Sequence, residues 1–403
     1  MATYYYFNGA TGNNDGTSEA DAWTSLVTAM TGLTAGSTLY LKAATGGVRH
    51  DVTEDSYGYV YYTLSGTEDE PTVVEGYTNT PGDGGPFLGS GCLRRTSGST
   101  IIFKHLDFEN NNGNTQVFRV NGGIIYKCRA KITTGTQVAI DLGEGGVLVD
   151  SYAEGPCSNV VFGRRTVVVN SYIKQTASSG NGLYIDCGYR SGQAIGNTIV
   201  FTDNSNTGYG ILFNNINNLG NSSSAINNTI VGANVGIRAD EGLAAGSGNQ
   251  VLTYGNIMTE CVYGYQNGQV VSTTENSISS VQNAFYNNTS GNYSNISDLA
   301  KLEDIQLTSS PFIDTDDYQI NDTAGGGALI KGLLGLPSPP NGLTATTRTS
   351  FNTQGSVVPS PFYSPIIDSG SLSLGTGDVG DIVDVSGNSF QLVQENPRVW
   401  KNV

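Results

Sequence analysis

The chain has 403 residues, 54 of them Gly, with 37% hydrophobic and 13% charged residues, which excludes a disulfide-framed peptide or a disordered acidic tail and leaves enough apolar material for a sizeable core. A formal charge of −16 argues against nucleic acid and anionic membrane surfaces as partners, because both are bound through Lys and Arg, and no apolar run approaches the roughly 18 residues of a membrane helix. With 3 Met and 19 Lys plus Arg against plentiful Gly, Asn, Ser, Thr and Tyr, many short strands joined by turns are expected in place of long surface helices. The start of the chain has no basic segment followed by an apolar one, so no secretory signal is read and synthesis in the cytoplasm is expected. Cys92, Cys128, Cys157, Cys187 and Cys261 are scattered and odd in number, and read as buried small hydrophobes.

Residues 1–98 read as an N-terminal cap and first coils. Ser18 with Asp21 makes a start resembling a capping box, Trp23, Leu26, Val27 and Met30 follow at helical spacing, and Gly32 stands at a stop position, which predicts a short amphipathic helix. The same stretch offers Asn13, Asn14, Asp15, Glu19 and Asp21 as oxygen ligands for Ca2+, with a turn and helix cap as the plainer reading. Asp314, Asp316 and Asp317 are a second, weaker set of the same kind. No other cofactor or metal is expected. The runs YFNGATGNNDGT at 6–17, AWTSL at 22–26, GSTLYLK at 36–42 and LSGTEDEPTVVEGY at 64–77 resemble the opening of pectate-lyase-like single-stranded right-handed parallel β-helix proteins. The resemblance implies that fold for residues 1 to about 330 and leaves function open, because the superfamily holds polysaccharide lyases, glycoside hydrolases, phage tailspikes and inactive proteins.

From 99 to 300 an internal repeat runs through the chain. Asn or Asp recurs at Asp107, Asp150, Asn170, Asn197, Asn228 and Asn256, with Cys128 in one place. Between copies lie apolar segments at 117–118, 138–140, 160–162, 183–185, 211–213, 237–239 and 284–286. Each repeat has room for two or more short strands and no helix, so the hydrophobic faces are buried by stacking coil upon coil. The fold class is therefore all-β, a right-handed parallel β-helix with an N-terminal capping helix. The recurring Asn/Asp is read as a ladder at the strand spacing of about 4.8 Å.

Residues 301–339 read as the closing segment; IQLTSSPFID at 305–314 and YQINDTAGGGA at 318–328 resemble the ends of β-helix proteins carried by bacteriophages. Residues 340–403 read as a β-rich C-terminal arm for attachment or oligomerisation, ending in Pro397-Arg398-Val399-Trp400-Lys401.

No phosphate-binding loop, nucleophile elbow or zinc-protease motif is present, and His50 and His105 match no metal spacing. Aligning the second strand of each coil on its apolar pair puts Asp141, Gly163, Asp186, Asn214 and Asp240 in one column. Carboxylates two coils apart are then roughly 9 to 10 Å apart, at the upper edge of the range of about 6.5 to 9.5 Å for inverting glycosidases. Asp141, Asp186 and Asp240 are thus candidate catalytic acids and bases, with Arg164, Arg165, Arg190 and Arg238 to hold an acidic sugar; the alternative is a column of strand ends where Asp and Asn begin turns. For a lyase, Lys127, Arg129, Lys131, Tyr172 and Lys174 are candidate bases. Eleven of the 19 basic residues fall between Arg94 and Arg190, so the field along the solenoid is uneven.

The first functional reading is a non-enzymatic bacteriophage virion protein, a capsid decoration (cement) protein or tail-associated spike, homotrimeric, bound to other virion proteins such as the major capsid protein. The second is a polysaccharide depolymerase of a tailspike or a free enzyme, and the third an adhesin that binds host-surface polysaccharide without turnover.

Overall fold

The computed structural model describes residues 2–312 apart from 53–58, 63–65, 68, 96–100, 112–115, 189–190, 204–206, 216–220, 242–248, 269–276, 297–300 and 303, together with 318, 382–383 and 389–390. Among these, three parallel sheets of 12, 10 and 11 strands make a right-handed parallel β-helix. Each coil visits sheet 2, then sheet 1, then sheet 3: Ile140–Glu144, Val147–Val149 and Tyr152–Gly155 are one such circuit. The sequence suggested two or more strands per coil; there are three, because a two-residue corner joins sheets 1 and 3 too tightly to show as a break in hydrophobicity. The apolar segment at 284–286 accordingly lies in sheet 3, while sheet 2 continues through Tyr263–Asn267 and Gly291–Ser294.

That corner explains the ladder. Its first residue sits in the left-handed region, as Lys127, Asp150, Asn170 and Asn227 do at φ between 47 and 56, and its second turns inward. The ladder runs through the second: the backbone N–H of Cys128 donates to Ser151, Ser151 to Ser171, Ser171 to Asn197, then Asn197 to Asn228, Asn256, Asn283 and Asp304 in turn. From Asn197 onward each side-chain Nδ2 also donates to the next Oδ1, at 2.9 to 3.1 Å. The alignment is thus right at Cys128, Asn197, Asn228 and Asn256. It is one residue early at Asp150 and Asn170, whose neighbours Ser151 and Ser171 carry the ladder, and Asp107 belongs to sheet 3 opposite Arg129.

The interior is apolar along its length. Phe87, Phe103, Phe108 and Phe118 are wholly buried, with Phe108 and Phe118 edge to face at 5.4 Å, an arrangement the ring quadrupoles favour. A file of glycines lets sheets 2 and 3 approach: a Cβ on Gly236 would lie 2.6 Å from the Gly264 carbonyl and 2.7 Å from Met258. All five cysteines are buried and outside any disulfide, and burial pushes the thiols of Cys128, Cys157 and Cys261 up to about 12.

The N-terminal helix is Leu26–Gly32, shorter than expected, with Ser25 as its cap accepting from the Thr28 N–H. Leu26, Ala29 and Met30 are buried. Ser18 and Asp21 do bond to each other, at 2.9 and 3.1 Å, but within the turn before the helix. Trp23 pairs with Tyr6 and stacks on Tyr4 at 5.1 Å. At the other end Leu307, Phe312 and Tyr318 cover Val200, Val231, Ile257 and Ala284 on the outside of sheet 3, so these described residues of the closing segment lie against the solenoid wall. Of the arm at 340–403, the described residues are Ile382–Val383 and Ser389–Phe390, an antiparallel pair; its terminal 397–401 segment lies outside the described residues.

Candidate functional site

The outer face of sheet 2 carries two rows of side chains set by strand register. In the first row Arg94, Arg119, Asp141 and Phe162 stand opposite one another on successive strands. The row continues through Tyr184, Leu212, Arg238 and Gln266. In the second row Glu144, Arg164, Asp186, Asn214 and Asp240 are aligned in the same way.

Of the proposed column, Asp186, Asn214 and Asp240 share one register, and Asp141 and Gly163 do not. Asp141 pairs with Phe162, and Gly163 with Ile185. The reason is strand phase: Ile140, Val161 and Leu183 stand opposite one another, so Asp141 falls in the row of Phe162 and Tyr184, and Gly163 falls opposite the buried Ile185. A displacement of the bulge type follows Asp141, where three steps on one strand face two on the next and bring Glu144 opposite Arg164. Asp186 and Asp240 remain two strand spacings apart, about 9.6 Å.

Their environments differ. Asp186 is 3% exposed; burial raises its pKa, against the Gly188 N–H at 3.0 Å and Arg164 Nε at 3.1 Å, which pull the other way. Asp141 is buried too, its pKa likewise raised by burial against the Gly143 N–H at 3.0 Å and Arg119 Nε at 3.4 Å. Asp240 is more open and lies 3.2 Å from Arg238, whose guanidinium also stacks on Tyr209 at 4.6 Å and bonds Gln266. Between Asp186 and Asp240, Asn214 donates to the Tyr184 hydroxyl, and Tyr184 stands 5.3 Å from Phe162. One face thus combines guanidinium groups, buried carboxyls and an aromatic pair, the side-chain set that holds an anionic sugar and moves protons near it.

The four arginines assigned to an acidic sugar divide. Arg164 and Arg238 lie on this face; Arg165 is at the corner beyond it, paired with Glu144 at 2.6 Å; Arg190 lies outside the described residues. Arg94, Arg119 and Phe162 were missed. The signal for Arg119 was in the sequence: Arg119 and Arg164, Asp141 and Asp186, and Gly143 and Gly188 are each 45 residues apart.

The lyase candidates lie elsewhere. Arg129, Lys131, Tyr172 and Lys174 are on the outer face of sheet 3 and Lys127 is at the corner. There Arg129 pairs with Asp107 at 3.0 Å, Lys174 with Glu154 at 3.6 Å, and Tyr152 stacks on Tyr172 at 5.4 Å, so that face is internally neutralised. The oxygens of the N-terminal cluster are engaged by donors of the chain: Asp15 accepts from Thr17, Asp21 from Asn13 and Ser18, Asn14 from Thr24, and Glu19 from Lys42 and Tyr77. Among the described residues no three His, Cys, Asp or Glu side chains are grouped to hold a metal ion; Asp314, Asp316 and Asp317 lie outside them.

No family model matches the sequence, and no curated protein does. Solved structures do match. A rhamnogalacturonan lyase is 12% identical with a TM-score of 0.53, over 81% of this chain and 96% of that one. The likeness is one of fold. Pectate lyase Pel9A is 13% identical over 70% of this chain and 79% of that one, with a TM-score of 0.44. A mannuronic acid specific polysaccharide family 6 lyase from human gut microbiota is 13% identical over 78% and 89%, with a TM-score of 0.41. The β-helix read from the sequence is thus an architecture shared with a known lyase.

Proposed function

We propose that the protein is a depolymerase of an acidic polysaccharide, which lies along the outer face of sheet 2 and is cleaved between Asp186 and Asp240. One observation carries this reading: two carboxyls in one register, about 9.6 Å apart at the backbone, near the range of inverting glycosidases, one buried with its pKa raised by burial and the other more open beside Arg238. A buried carboxyl with a raised pKa serves as general acid and a more open carboxylate as general base. The proton of Asp186 passes to the glycosidic oxygen as the C–O bond breaks, and water attacks the anomeric carbon, giving its proton to Asp240. The resemblance in fold to polysaccharide lyases is consistent with a glycan substrate and does not choose hydrolysis over elimination.

Incubation with a panel of acidic polysaccharides should release reducing ends without the ultraviolet absorbance of an unsaturated product, and Asp186→Asn and Asp240→Asn should each lower the rate by about 100-fold or more. Unchanged rates in both variants would sink the assignment. A second reading, glycan binding without turnover, is favoured by the two hydrogen-bonding partners that Asp186 already has, Gly188 and Arg164; glycan retention with no product in the unmodified protein would select it. A trimeric virion component draws on the resemblance of the closing segments and asks nothing of this face, so the concentration of guanidinium and carboxyl groups on one sheet favours the glycan readings.

A further inference from the structure

The sheet 2 face contains the same small device twice. Arg119 Nε faces Asp141 Oδ2 at 3.4 Å, and Asp141 Oδ1 accepts from the Gly143 N–H at 3.0 Å. Arg164 Nε faces Asp186 Oδ2 at 3.1 Å, and Asp186 Oδ1 accepts from the Gly188 N–H at 3.0 Å. In both, the arginine and aspartate stand opposite each other on adjacent strands, and the aspartate is buried while the arginine side chain is 40% or 58% exposed. A buried carboxyl group fixed by a backbone donor holds the guanidinium side-on, so its direction is set before any ligand arrives.

Ion pairs that serve only the fold look different in this molecule. On sheet 3, Arg49 reaches Asp107, Glu109 and two backbone carbonyls, and Arg129 shares Asp107 while lying over Tyr152; their side chains are 26% and 30% exposed. Their charge is answered by acids on the same face. On sheet 2, Arg119 and Arg164 are more open, whereas Arg238, at 18%, is held by Asp240, Tyr209 and Gln266, and Arg94 stands beside Arg119 on the preceding strand.

The two devices are separated by two strand spacings and by two residues along the strand, since Arg119 shares its row with Phe162, two residues before Arg164. The two arginine backbones are therefore about 12 Å apart. That is wider than one sugar and nearer to a disaccharide. We propose that Arg119 and Arg164 are two anion subsites of one extended site, and that the polysaccharide bound there carries a charged group on every second sugar. This rests on the glycan reading of sheet 2 and specifies its charge pattern. Both arginines are specificity-determining residues and neither is placed in the bond-breaking step.

The test is binding of fluorescent oligosaccharides with equal charge and unequal spacing, measured in the Asp240→Asn protein to suppress turnover. The probes are a hyaluronan octasaccharide, with four carboxylates on alternate sugars, and a tetragalacturonide, with four on consecutive sugars. The octasaccharide should bind about tenfold more tightly, and Arg119→Lys and Arg164→Lys, which keep the charge but lose the side-on clamp, should each weaken it by about tenfold. Arg129→Lys, on sheet 3, should leave it unchanged. Equal affinity for the two probes, or sensitivity to only one of the two arginines, would overturn the spacing while leaving sheet 2 a glycan site. Failure of these probes and of the polysaccharide panel to bind would remove the glycan reading and the spacing with it.

Discussion

Asp150 shows how much a single corner residue matters in a solenoid. It occupies the left-handed position at φ 47, neither carboxylate oxygen is reached by solvent, and burial pushes its pKa up to about 6, with Lys127 on the preceding coil opposing the shift. The folded state therefore holds its proton more tightly than the unfolded chain. The stability present below the unfolded value near 3.8 is lost as pH rises towards about 6, and the full penalty applies above it. Asp150→Asn removes the charge and keeps a side chain suited to this backbone, as Asn170 demonstrates one coil on. We expect the variant to be more stable by about 2 kcal/mol at pH 8 and indistinguishable at pH 3.5, in urea titrations at the two pH values. Equal stabilisation at both would mean that the charge is not the cause.

At the scale of the element, the inner ladder is a chain of donors and acceptors in which each member completes the one before. Asn228 is wholly buried, accepts from both nitrogens of Asn197 and donates to Ala194 and Asn256. Asn228→Ala strands buried donors on the coil before and should cost about 3 kcal/mol, read as a shift in denaturant midpoint with unchanged slope; a loss below about 0.5 kcal/mol would show that water replaces the amide. The ladder also shows what was legible. Its period and the residue types were readable because every coil repeats the same apolar doublets. Its position was not readable at Asp150 and Asn170, since the more conspicuous polar residue of Asp150-Ser151 and Asn170-Ser171 is the left-handed first residue of the corner, and the ladder runs through the second. Asp186 and Asp240 were placed in register by counting from the apolar pair, and Asp141 was misplaced because the apolar run 138–140 ends on Ile140, which aligns through Val161 with Leu183, the first residue of the run 183–185 and not its last.

At the scale of the molecule, each coil packs only on its neighbours, so energetic effects should be local. Phe103 and Asn256 lie six strand spacings apart, about 29 Å. The losses from Phe103→Leu and Asn256→Ala should add to within about 0.5 kcal/mol, whereas Asn228→Ala and Asn256→Ala, which share a hydrogen bond, should not; unfolding of the single and double variants checks both. The same geometry makes the outer face of sheet 2 a graduated scale. Positions along the axis differ by whole strand spacings, so the gap between Arg119 and Arg164 is quantised. Evolution, or an engineer, lengthens the axial part of that gap in steps, by adding a coil, which ties the size of the ligand repeat to the number of turns between the two arginines.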